Sequence, residues 1–350
     1  MRSTLSLCCC LLLMTVVDAK NHVPNTPKGV QVHFRLQERV LTLHEPVVAL
    51  FEVHNGMTKP VVVTVGATVR QFFDLSLKIP SGEVLHKDPY EGQVDIVSYG
   101  DGTVTVEPGA DYSEPLVLNR WFPFQSEGTY TLTSKLTSDI KTADGDFHAG
   151  SETGQVLINP RDPARLNRLC EELEKQAEIA KTVDAAQFPT LALSYVNDAI
   201  AVPFLARVLS ANTLAYSYAV KGLERIGTDE AAEVLLSALN ENWGDIPELA
   251  TSSLARMQDR IANPGLKETV KKAVERSSVR ARDEYIKTQI AYLDYRSPQL
   301  QTAAIQNLSR VDGLQQAEPV LHRLAADPNQ PDNVRAAARE ALERLRSSKN

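Results

Sequence analysis

The sequence predicts a multidomain β + α chain: an N-terminal β-sandwich followed by a C-terminal α–α array of helical repeats. Three observations predict it. Between Val30 and Pro160, apolar residues alternate or run in short β-rich blocks separated by Gly and Pro. From Asp162 onward Gly becomes scarce, and apolar residues recur at intervals of three and four. Within that second half an Ala followed four residues later by a Leu returns again and again, the mark of a repeat.

The first element lies ahead of both halves. One basic residue, Arg2, precedes an apolar run of about 13 residues, Leu5 to Val17, and then Val17-Asp18-Ala19. Val at −3 and Ala at −1 suit cleavage after Ala19. The run is too short to cross a bilayer as a helix. Residues 1–19 are therefore read as a signal peptide, and the mature chain as secreted or periplasmic. A membrane anchor or misread N-terminus and, second, a lipoprotein are the competing readings. The second is drawn from Cys8, Cys9 and Cys10, which lie inside the apolar run rather than at its end. Only the preceding Cys supplies any of them with a small neighbour.

Cleavage removes three of the four cysteines and leaves Cys170, so no intramolecular disulfide can form. Stability must come from packed cores, and roughly 330 mature residues suffice for two domains. Arg2 and Asp18 cancel, so the mature chain keeps the net charge of −7. That balance argues against a nucleic-acid partner, which calls for a basic face. No further run of 18 apolar residues occurs, so no membrane insertion is expected after cleavage.

The β half spans residues 28–160. Val47 to Val53 is β-rich and nearly continuously apolar, and Val61 to Val65 follows the turn residues Asn55-Gly56. Phe73, Leu75, Leu77 and Ile79 alternate with polar residues, the period of a half-buried strand. Val104 and Val106 precede a Glu-Pro-Gly turn. Tyr130, Leu132 and Leu136 share a face of Gly128 to Thr137, and Gln155 to Ile158 closes the set. Eight or nine short strands are expected. Glu107-Pro108-Gly109-Ala110-Asp111-Tyr112 and Gly128-Thr129-Tyr130 resemble the Ig-like accessory domains near the N-terminus of many bacterial envelope proteins. The resemblance implies an Ig-like architecture and says little of function.

Residues 161–186 read as a connecting helix over Pro163 to Ala186, capped by Asp162 and with Pro163 in the permissive first turn. Residues 187–350 hold the repeats. The motifs starting at Leu193, Leu223, Leu254, Leu308 and Leu342 are spaced by 30, 31, 54 and 34 residues. Ala219, Ala250, Ala304 and Ala338 lie four residues before the last four, and Pro189 before the first. Ala and Leu at that spacing share one helix face, and the small residue admits a neighbouring helix. The 54-residue gap reads as a long or degenerate repeat. Asp332 to Ala338, running on to Ala341-Leu342, resembles the second helix of HEAT repeats of the bilin-lyase type. That resemblance covers about Asp184 to Leu345 and implies a HEAT-like α-solenoid.

Motifs of chemistry are missing from the sequence. It contains no His-Glu-x-x-His, Gly-x-Ser-x-Gly, phosphate-binding Gly loop or, in the mature chain, Cys-x-x-Cys. Pro46 follows His44-Glu45, and the seven histidines lack ligand spacing. Asp144-Gly145-Asp146 lacks the remaining acids of a calcium loop. Glu171 and Glu172 beside Cys170 disfavour a thiolate. No catalytic residue, metal site or cofactor is assigned. Trp121, in Trp121-Phe122-Pro123-Phe124, is either core or an exposed anchor. Arg225, Arg256, Arg310 and Arg344 each follow a repeated Leu by two residues, and Tyr195 takes that place in the first copy. Two residues are about 200° of helix, so these side chains leave the core. They form either a stripe for an acidic partner or local contacts to helix ends and to Glu224 and Glu343. The expected function is an exported, non-enzymatic scaffold that binds an unknown protein partner. An inhibitor or regulator of an envelope or secreted enzyme, and an enzyme with an unrecognised site, are the alternatives.

Overall fold

The computed structural model describes residues 29–64, 73–86, 103–136, 139–142, 145–148, 150–211, 215–240 and 245–348. The signal segment, Asp144 and the end of the Val61–Val65 block lie outside them. The chain divides into two compact units, Met1–Leu166 and Asn167–Asn350.

The first unit is strand-rich, with twelve strands among the described residues: β1 (Val30–Leu36), β2 (Val40–Thr42), β3 (Val48–Asn55), β4 (Val61–Thr64), β5 (Phe73–Lys78), β6 (Val84–His86), β7 (Thr103–Val106), β8 (Asp111–Val117), β9 (Gly128–Leu136), β10 (Asp139–Thr142), β11 (Gly145–His148) and β12 (Ser151–Asn159). They form three sheets, ordered β1-β3-β8, β11-β10-β4-β7 and β2-β12-β9-β5-β6. Pairing is antiparallel except between β12 and β2. The apolar block in β3 resolves into alternation: Ala49, Phe51 and Val53 are buried, and the residues between them are only partly covered. Leu75 and Leu77 of β5 and Tyr130, Leu132 and Leu136 of β9 enter the same core.

Two buried polar residues fix the loops of this unit. Asn55 is fully buried at the end of β3. Its amide donates to the Lys59 and Val106 carbonyls at 3.0 and 2.8 Å, and its carbonyl accepts from Met57 N at 3.0 Å. Glu45, beside left-handed His44, accepts from Thr42 N at 3.0 Å and from Arg165 Nε at 2.5 Å. Both are satisfied, as buried polar groups must be.

The helical part has ten helices among the described residues: α1 (Pro163–Ile179), α2 (Val183–Ser194), α3 (Val202–Ser210), α4 (Tyr216–Ile226), α5 (Asp229–Ala238), α6 (Ile246–Met257), α7 (Pro264–Tyr292), α8 (Pro298–Arg310), α9 (Leu314–Ala326) and α10 (Asp332–Ser348). Asp162 caps α1 through Ala164 N and Arg165 N. The single helix expected over Pro163–Ala186 is corrected: it is two helices. Thr182 adopts extended backbone and accepts from Ala185 N, which starts α2 afresh.

This part is a helical repeat. Leu193, Leu223, Leu254, Leu308 and Leu342 are all buried, as are Ala219, Ala250, Ala304 and Ala338. The helices that carry them pack in succession, α2 on α4 and α4 on α6, with α8 on α10. The intervening α3 and α5 pack against these and against each other.

The 54-residue gap is filled chiefly by one 29-residue helix, α7. Its first half, through Val270, packs against α5 and α6. Its second half, through Ile286 and Gln289, packs against α8 and α9. Between them, Ser278 to Tyr285 are exposed on every side of the helix. Val270 and Ile286 are 16 residues apart, about 160° around an ideal helix, so α7 turns nearly opposite faces to its two neighbourhoods.

Candidate partner-binding face of the helical unit

The face built by α2, α4 and α6 begins with a close backbone approach. A Cβ placed on Gly222 would lie 2.8 Å from Ser194 Cα and 3.0 Å from Leu205 Cδ1. With α4 this near α2, long side chains beside the contact reach across to the previous repeat.

Arg225 does so. Its guanidinium lies 3.7 Å from the centre of the Tyr195 ring, and Nη1 donates to the Ser194 carbonyl. Ser194 ends α2, where carbonyls lack an amide partner within the helix, so the cation also meets the negative end of the helix dipole. One repeat on, Arg256 makes the corresponding reach. Its Nε and Nη2 donate to the two carboxylate oxygens of Glu224 at 2.5 and 2.7 Å. Ser253 Oγ donates to the same carboxylate at 2.7 Å, and Lys221 Nζ stands 3.4 Å away. Arg260, just past α6, donates to the carbonyls of Glu224 and Arg225 at the end of α4. Gly227 makes room for it. Its φ is +70°, and a Cβ there would meet Arg260 Nη1 at 2.5 Å.

The electrostatics follow from this geometry. Burial alone would raise the Glu224 pKa. The Arg256 and Ser253 hydrogen bonds, helped by Lys221, outweigh it and hold the carboxyl down at about 2. Hydrogen bonding to Glu224 raises Arg256 in return, against its own desolvation. Elsewhere in this unit, Glu174 receives Arg207 Nε and Nη2 at 2.5 and 2.9 Å. Cys170 is fully buried, and burial together with Asp198, Glu174 and Glu171 pushes its thiol up to about 12.

The structure therefore places Tyr195 against Arg225, and Arg256 against Glu224, the residue before Arg225. Tyr195 is a correction: it caps the end of α2 and is buried beneath the Arg225 guanidinium, so it does not leave the core or offer a surface of its own. Arg310 and Arg344 stand apart from these contacts. Arg310 is exposed at the end of α8, and Arg344 pairs with Glu340 one turn earlier at 2.6 Å. Of the two readings of Trp121 the structure takes the core one, which corrects its place among the surface candidates: its ring is buried with Phe122 and Phe124 in the β core, and it offers no surface anchor. Sequence reasoning did not single out Gly222, Ser253 or Arg260. It named Glu224 only as a local neighbour of Arg225, whereas its partner is Arg256, 32 residues later. The signal available was Leu-Glu-Arg at 223–225 with another Leu-x-Arg one repeat further on.

Among the described residues no group of three or more His, Cys, Asp and Glu side chains converges as metal ligands would. No described helix is long and apolar enough to cross a membrane.

No family model matches the chain, and no curated protein matches it. Solved structures do. The CpcE–CpcF complex of phycocyanin lyase from Nostoc sp. PCC7120 is 20% identical, with a TM-score of 0.25 over 52% of this chain and 99% of that one. A designed armadillo repeat protein is 17% identical, with a TM-score of 0.15 over 53% of this chain and 96% of that one. The CARDB domain of the PF1109 protein from Pyrococcus furiosus is 11% identical, with a TM-score of 0.21 over 39% of this chain and all 100% of that one.

Proposed function

We propose that the chain is an exported, non-enzymatic binding scaffold, an Ig-like β-sandwich followed by a HEAT-like α-solenoid whose surface takes a protein partner. The observation that carries this reading is the succession α2, α4, α6. Each helix packs on the next with its repeated Leu buried, and Arg225 and Arg256 tie each repeat to the one before. Stacked repeats of this kind present a continuous face, which is how such arrays bind extended partners. The Ig-like reading is supported by Tyr130 near the start of β9. Its hydroxyl donates to the Ser126 carbonyl at 2.9 Å and accepts from Ser126 N at 3.1 Å, the local arrangement of a tyrosine corner. The non-enzymatic reading is supported by a buried, protonated Cys170 and by Glu174 and Glu224, each held by an arginine. Export rests on residues 1–19 alone.

Two measurements test the reading. N-terminal sequencing of the exported protein should start at Lys20, and material starting at Met1 overturns export. Chromatography of an envelope extract with the mature protein should yield a stoichiometric protein complex without turnover of any small molecule. A complex in which the partner's own activity falls would favour the regulator instead.

A further inference from the structure

The intervening helices carry a second face. An open groove of about 630 Å³ runs between the start of α3 and the length of α5. Val202, Pro203 and Val234 line it with apolar surface. Glu230, Glu233 and Ser237 line it as well; with Val234 they are spaced as one row along α5. Both glutamates are exposed, and neither enters a salt bridge among the described residues. Elsewhere in this unit other carboxylates are bound locally. Glu174 and Glu224 are each clasped by an arginine, and Asp229, one residue before Glu230, accepts from Ala262 N and Asn263 N at 2.9 and 3.0 Å.

We propose that this groove is the docking site for a basic segment of a partner protein, one carrying Lys or Arg beside an apolar side chain. The claim rests on the scaffold reading above and places the contact on α3 and α5. Lys and Arg lay their methylene stems along apolar surface while the charged head reaches onward. Here the stems would cross Val202, Pro203 and Val234, and the heads would meet Glu230 and Glu233. An acidic segment would face two unpaired carboxylates on a chain of net charge −7. A wholly apolar one would strip water from those carboxylates and give nothing back.

The test uses the full mature chain and a fluorescein-labelled twelve-residue peptide of alternating Lys and Leu, with the Glu-and-Leu peptide as its counterpart. The Lys peptide should bind and the Glu peptide should not. Glu230→Gln with Glu233→Gln should weaken binding about fivefold, the combined effect of two exposed charge pairs. Glu248→Gln with Glu275→Gln makes the same charge change on α6 and α7 and should leave binding unchanged. Circular dichroism at 222 nm verifies that both double variants fold. Equal weakening by the two double variants means attraction by net charge alone and overturns the proposal, as does failure of the Lys peptide to bind. The scaffold reading is judged separately. A native complex that survives Glu230→Gln with Glu233→Gln ends the groove proposal and leaves the scaffold standing, whereas absence of any native complex ends the scaffold.

Discussion

Glu224→Gln removes one negative charge from the contact between α4 and α6 and changes little else in shape. The wild-type carboxyl is held at about 2 against an ordinary 4.5, a shift of about 2.5. At 1.36 kcal/mol per unit this is an upper bound of about 3.4 kcal/mol. The Glu224 side chain is 17% exposed and that of Arg256 is 49% exposed, so solvent screening brings the expected contribution to about 1–2 kcal/mol. The folded-state pKa lies below the unfolded one. The stabilisation is therefore complete above pH 4.5 and is lost as pH falls from there toward 2. Urea unfolding of wild type and variant, followed at 222 nm, should differ by about 1–2 kcal/mol at pH 7, and the gap should narrow by about pH 3.5. Arg256→Met and the double variant complete a cycle whose coupling should be about 1 kcal/mol at pH 7. A gap that stays constant from pH 7 to pH 3.5, or a coupling near zero, would refute the assignment of this ion pair as a tie between repeats.

Gly222→Val should lower the stability of the helical transition by about 1–3 kcal/mol, since its Cβ meets Ser194 backbone; an unchanged urea midpoint would contradict the close approach. Asn55→Leu should destabilise the β unit by about 2–4 kcal/mol, because three backbone groups lose their partner; near-ultraviolet circular dichroism during urea unfolding, to which Trp121 contributes, reports it. Tyr130→Phe should cost about 1 kcal/mol in the same transition through loss of the bonds to Ser126. Cys170 should resist iodoacetamide at pH 8 in the native protein and react promptly in urea, because burial and the acidic groups around it hold the thiol near 12; rapid native labelling, read by mass spectrometry, would show that it is reachable.

The parts legible in the sequence were those written in local spacing. Ala219 with Leu223, and Ala250 with Leu254, announce a buried helix face because four residues return a side chain to one side. Phe73 to Ile79 announces a strand for the corresponding reason at period two. β8 was less legible, since Pro115 and Glu114 interrupt its apolar pattern, and its place is set by pairing with β3. The break at Ala180 to Thr182 was hidden because Thr182 caps α2 within an otherwise helical run. In the candidate face, the direction of the arginines away from the core followed from 200° of rotation, but their destinations did not. Arg256 meets Glu224 across 32 residues, and Arg225 meets Ser194 across 31. Such pairings depend on which helices stack, and how near Gly222 lets them come.

The exposed middle of α7 bears on how the helical unit shares its stability. In a linear stack each member is held by its neighbours, so cooperativity is handed along link by link. Between Ser278 and Tyr285 the handover passes through just over two turns of helix with every side chain exposed, although Arg282 reaches the Val311 carbonyl at 2.8 Å. So short a stretch is marginal in isolation and stays helical because both of its ends are docked. If either docked end melts, those turns lose their support while the far block keeps its own core around Leu308, Leu321 and Leu342. The amides from Ser278 to Tyr285 would then exchange with solvent sooner than those near Val270 or Ile286, and the two blocks would unfold as distinguishable cooperative units rather than one.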